Sequence, residues 1–181
     1  MTDEPAANLA WLSRTMAALT TIGLIVSPVV LVSAYLFPGR ANGFLLNVDD
    51  LGGDLTAATP LAWRIAALAC SLAGEAFTLW ALWSLRSMLL LYAKGEVFSL
   101  RALSLMHTIA VALFAGVIVG FAMRAPITLL LSWPLGADHR HISLAFGSGD
   151  VVTLFEAGVV LVIARVMREA ARLADENAKF V

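Results

Sequence analysis

The chain has 181 residues, 60% of them hydrophobic and only 14% charged, with a formal net charge of −1. A soluble domain usually carries about 25% charged residues, so this composition argues for a membrane protein, and the near-neutral balance argues against a nucleic-acid partner. A single cysteine, Cys70, excludes an intrachain disulfide and says nothing about redox compartment.

The N-terminus does not read as a signal peptide. Asp3 and Glu4 stand where a basic region belongs, and the apolar run that follows is too long and lacks a small-residue cleavage site. Residues 15–37 carry no charge, and a first helix is predicted over about 12–37. A helix rises ~1.5 Å per residue, so about 20 apolar residues cross a ~30 Å hydrocarbon core. A soluble helix keeps a polar face, and this segment has none. Residues 38–60 follow as a loop rich in turn formers, among them Asn47, Asp49, Asp50, Gly52, Gly53 and Asp54.

A second helix is predicted over 61–92, with Glu75 the one charge between 65 and 85. Lys94, Gly95 and Glu96 then read as a turn, and Ser99 is placed to cap a third helix over 100–124. Within it, residues 102–123 carry no charge if His107 is neutral. The loop 125–148 is β-prone at 127–133 and alternates apolar with small or polar residues at 141–146. Pro134, Leu135, Gly136, Ala137 and Asp138 between them have turn chemistry. The pattern predicts a β-hairpin, with a short interfacial helix over 127–133 as the alternative, because a continuous apolar run fits both.

The fourth predicted helix, 149–176, has one charge, Glu156, between 151 and 164. It reaches spanning length only if Arg165 and Arg168 snorkel toward the interface. Beyond it, Arg165/Glu169, Arg172/Glu176 and Asp175/Lys179 stand i,i+4 and read as a solvated extension. No repeat or second domain interrupts the single membrane domain of residues 1–181. The expected fold is therefore an all-α membrane protein, a four-transmembrane-helix bundle with a small outer-face β-hairpin.

Basic residues orient it. Arg14, Arg86, Lys94, Arg101, Arg165, Arg168, Arg172 and Lys179 fall on one side, against Arg40, Arg64, Arg124 and Arg140 on the other. The positive-inside rule puts the larger group, and both termini, in the cytoplasm. Aromatic residues agree: Trp11, Trp80, Trp83 and Tyr92 lie near one boundary, and Tyr35, Trp63 and Trp133 near the other.

Two short motifs carry a resemblance: residues 92–99 (Tyr-Ala-Lys-Gly-Glu-Val-Phe-Ser) and the ending 174–181 (Ala-Asp-Glu-Asn-Ala-Lys-Phe-Val). With four helices and a β-prone outer loop, the chain from its first helix to its last residue resembles a bacterial membrane family described only as a domain of unknown function, DUF2975. The resemblance implies a four-helix protein of the bacterial inner membrane with no established activity and no catalytic residues to carry over. Some relatives are encoded beside small helix-turn-helix regulators, which implies a regulatory partnership as one reading.

Chemistry inside the spans is sparse. Ser104, Thr108, Ala112, Gly116 and Gly120 repeat every fourth residue on the third helix. Small residues permit close backbone approach where lipid supplies no hydrophobic drive, so this face packs on a helix of the same chain or of a second copy. The second helix carries Ala67, Ser71, Glu75 and Thr78 along one side. Glu75 and Glu156 are expected at similar depth near mid-membrane, turned into the bundle, with at least one protonated. An ionisable group there costs at least ~2.5 kcal/mol to insert charged, so it is a functional candidate. The plainer reading is a neutral acid holding the helices in register.

His107 is the one histidine of the spans, which leaves a haem without a second helix ligand and favours a packing role. Asp138, His139 and His141 make at most a weak metal site, lacking a close fourth ligand. No cofactor is expected, and no nucleophile elbow, phosphate loop or zinc motif marks an enzyme. Two functions compete. One is a non-enzymatic accessory, regulatory or signalling protein whose partners are the bilayer and a protein or a second copy. The other is a small proton- or cation-coupled transporter or channel using Glu75 and Glu156.

Overall fold

In a computed structural model, the chain is described at residues 4–37, 53–97, 99–136, 142 and 147–178. Each charge-poor stretch forms one long helix: α1, Glu4–Leu36; after the short α2, Gly53–Ala58, comes α3, Leu61–Tyr92; then α4, Leu100–Ser132; and α5, Ser148–Ala178. α1, α3 and α4 are long and apolar enough to cross a membrane. α5 falls outside that group, because Arg165, Arg168, Glu169 and Arg172 interrupt its second half.

The link from α3 to α4 is a tight turn. Gly95 adopts φ +84°, the left-handed region that side chains disfavour. The amides of Gly95 and Glu96 donate back to the carbonyls of Tyr92 and Leu91 at 3.0 and 3.1 Å. Ser99 caps α4, its hydroxyl accepting from the Ala102 amide at 3.1 Å. Ser99→Ala is expected to cost about 1 kcal/mol and Ser99→Asp almost nothing, read as the unfolding midpoint in mixed micelles; an unchanged midpoint in Ser99→Ala would mean that the cap is ornamental.

The first arm of the expected β-hairpin is helical, and no strand occurs among the described residues. Residues 127–132 continue α4 past Pro126, and Trp133–Leu135 adds one 3-10 turn. The second arm, 141–146, lies outside the described residues apart from Ile142. Burial explains why the helix continues. Ile127 and Leu131, one turn apart, are buried together with Tyr35 of α1 and Ala67 of α3. Pro126 removes one intrahelical hydrogen bond, and this shared core outweighs it. The Thr59 hydroxyl, just past α2, also donates to the Leu131 carbonyl at 2.7 Å.

The four long helices do not close into a symmetric bundle. α3 and α4 are the central pair, α1 packs on α3, and α5 packs on α4. Among the described residues, α1 and α5 make no comparable contact with each other, nor does α1 with α4. Neighbours run antiparallel, as the pairs Thr21/Arg86 and Tyr35/Ser71 require. Side chains are sorted by size. Ser13, Ala17, Thr20, Ala34 and Tyr35 of α1 are buried, while Trp11 is 69% exposed and Ile22, Ile25 and Val29 lie on the surface. Phe155 of α5 is 72% exposed. A water-soluble protein would reverse this arrangement.

Candidate functional site

The polar residues of α1 and α3 meet in a ladder along their interface. Near the Arg86 end, the Arg86 Nε donates to the Thr21 hydroxyl at 2.9 Å and its guanidinium lies 5.7 Å from the Trp83 ring centroid. In the middle, the Ser27 hydroxyl donates to Glu75 Oε1 at 2.5 Å. Toward the other end, the Tyr35 and Ser71 hydroxyls share a hydrogen bond of 2.6 Å, and Ser71 donates to the Ala67 carbonyl. Arg64 Nη1 reaches the Tyr35 carbonyl at 3.4 Å, while its buried Nε has no hydrogen-bond partner among the described residues. Antiparallel helices with polar groups about one or two turns apart produce such a ladder wherever the facing sides agree.

A second polar contact joins α4 to α5. Arg124 grips Asp150 with both guanidinium nitrogens, at 2.9 and 2.8 Å. The same carboxylate accepts from the Gly147 amide at 2.8 Å, closing the first turn of α5. On α5 beyond the spans, Arg172 donates to Glu169 and holds its carboxyl below the ordinary carboxylate range. The i,i+4 partner expected for Glu169 was Arg165; the i+3 residue takes it instead.

Glu75 and Ser71 thus lie in the α1–α3 interface. Thr78 and His107 are exposed, so Thr78 does not turn inward with Ser71 and Glu75, and His107 lacks the buried setting a packing role calls for. Glu156 also departs from expectation. Counting from the Gly74/Gly120 contact and the Arg124/Asp150 pair puts it within about a turn of the level of Glu75. Its side chain is nevertheless exposed, on a helix whose one substantial neighbour among the described residues is α4. Ala157 and Ala164 hold the α4-facing seam of α5, because the smallest side chains allow the closest approach. Glu156 is left on the flank, and α4 stands between it and α3. The two carboxylates do not form one site.

The small-residue face of α4 meets α3. Ala112 is fully buried. A Cβ on Gly116 would stand 3.2 Å from the Phe77 Cβ, whereas one on Gly120 would meet nothing within 4 Å. The close approach at Gly120 comes from the other side: a Cβ on Gly74 would lie 3.4 Å from the Gly120 Cα. The sequence reading missed Gly74, although its place one residue before Glu75 was a signal. It also missed Thr21, Ser27, Tyr35 and Arg86 as partners across the interface. The hydroxyls of Thr21, Ser27 and Tyr35, within an uncharged stretch of α1, were the trace on that helix. Asp138, His139 and His141 lie outside the described residues.

Long apolar helices that bury small and polar side chains and expose large apolar ones define an all-helical membrane protein. Within that class the chain belongs to the family described as Protein of unknown function (DUF2975), whose model matches residues 4–181. Searches of curated proteins and of solved structures found no match.

Proposed function

We propose that this is a four-span protein of the bacterial inner membrane, with both termini cytoplasmic, acting as a non-enzymatic accessory, regulatory or signalling partner of another protein. One observation carries the reading: four polar pairs within the spans tie helix to helix. Thr21/Arg86, Ser27/Glu75 and Tyr35/Ser71 fasten α1 to α3, and Arg124/Asp150 fastens α5 to α4. That is how a scaffold spends its polar groups. In the four-span reading α5 crosses with its apolar first half, and Arg165 and Arg168 mark the cytoplasmic boundary.

Pull-down of the detergent-solubilised protein from its native membrane tests the role. A specific, stoichiometric protein partner supports it, and recovery of the chain alone from cross-linked membranes counts against it. Topology is tested by cysteines placed singly at Ala6, Gly53 and Ala178 in a chain with Cys70→Ala. In intact cells an impermeant thiol reagent should label Gly53→Cys and spare the other two; labelling at Ala178 but not Gly53 would overturn the orientation.

The alternative, a proton- or cation-coupled transporter or channel, loses its two-carboxylate site because Glu156 stands apart. It retains Glu75 alone. Ion flux into proteoliposomes, abolished by Glu75→Gln, would favour it over the accessory role.

A further inference from the structure

The Glu75 carboxyl is only half satisfied. Oε1 accepts from Ser27, while Oε2 has no hydrogen bond among the described residues, and the residue is partly accessible. A single neutral donor does not offset the cost of an ionised carboxylate at mid-span. Other oxygens lie within one turn of this pair along their helices. Thr78, one turn along α3, is exposed and makes no hydrogen bond among the described residues. On α1, Pro28 follows Ser27 inside the helix. Proline has no N–H, so the carbonyl of Leu24, on the same turn as Ser27, loses its i+4 donor.

The place is also open. Gly74 turns toward α4 and Glu75 toward α1. Thr78, four residues after Gly74 and three after Glu75, occupies the strip between them. Its exposure leaves the strip open at Thr78, whereas further along, at Ala67, α1 and α4 meet over it. Hard oxygen donors carrying a single negative charge suit a monovalent alkali cation, whereas a divalent ion calls for more carboxylates. Carbonyls freed by an interrupted membrane helix are a known means of completing such a shell.

We propose that Glu75, Ser27, Thr78 and the Leu24 carbonyl form a binding site for a monovalent alkali cation, open to the surface of the protein at Thr78. A bound ion does not require transport, so the site stands or falls separately from the accessory role.

The test uses the purified full-length protein in detergent, with sodium, lithium or potassium chloride replacing choline chloride at constant ionic strength. A hydrophobic carbodiimide reports on Glu75 directly, its adduct quantified by peptide mass spectrometry. At ten times the half-saturating concentration, at least one cation should slow labelling of Glu75 about tenfold, as simple competition requires, and raise the unfolding midpoint. Labelling of Glu156 should not change. Glu75→Gln should abolish the cation-dependent rise in midpoint, and Thr78→Val should raise the half-saturating concentration. Labelling indifferent to all three cations would overturn the site, as would a midpoint shift that survives Glu75→Gln. The labelling arm needs no variant, so it decides the matter even if Glu75→Gln fails to fold.

Discussion

Gly74→Leu is expected to lower stability by roughly 1–3 kcal/mol or more, the range for overpacking a close contact. The backbone of α3 rests against the backbone of α4 here. A Cβ alone would sit 3.4 Å from the Gly120 Cα, an ordinary contact. Atoms beyond it would have to occupy the space of the α4 backbone, so the central helix pair must part. Gly116→Leu should act similarly against Phe77, whose Cβ is 3.2 Å from the position a new Cβ would take. Gly120→Ala is the contrast, since its Cβ enters open space and alanine favours the helix by up to about 1 kcal/mol. Unfolding midpoints in mixed micelles, with size exclusion to register any change of association, check the order. A Gly120→Ala loss as large as that of Gly74→Leu would mean that the α3–α4 contact is misplaced.

Arg124→Ala is expected to cost about 2–3 kcal/mol, the scale of hydrogen bonds to charged groups. α5 has one substantial neighbour, α4, and the Arg124–Asp150 pair is its one ionic fastening to that helix among the described residues. The pair is partly shielded, with side chains 28% and 16% exposed, so solvent screens it less than a surface bridge. Asp150→Ala should cost as much or more, because the Gly147 amide loses its acceptor as well. The double variant should be well short of additive, giving a coupling energy of about 1–2 kcal/mol. Hydrogen exchange should quicken in the first turns of α5 and stay unchanged in α1 and α3. A coupling energy near zero would reduce the pair to an incidental contact.

Much of the architecture was legible because bilayer physics acts on composition. Charge-free stretches longer than a hydrocarbon core must be helices, and the bounds of α3 follow from Pro60 before it and the Gly95 turn after it. Ser99 as the α4 cap was legible for the same local reason. The hairpin was misread because a run such as Ile127 to Leu131 suits a strand or a helix equally. The choice fell to Tyr35 and Ala67, far away in sequence, which bury Ile127 and Leu131 on one helical face.

Side-chain partnership within the spans was less legible. Glu75 and Glu156 look equivalent in sequence, each a lone acid in an apolar run. Their fates diverge because α3 lies between two helices, and its Glu75 meets Ser27, whereas α5 lies at the end of the row, and its alanines take the contact. By itself the sequence determined that this chain is helical, apolar and bilayer-bound, since those properties sum over residues regardless of partner. Only the tertiary structure decided which face of each helix is covered, because coverage depends on which neighbour arrives, at what register, and how closely its backbone can approach.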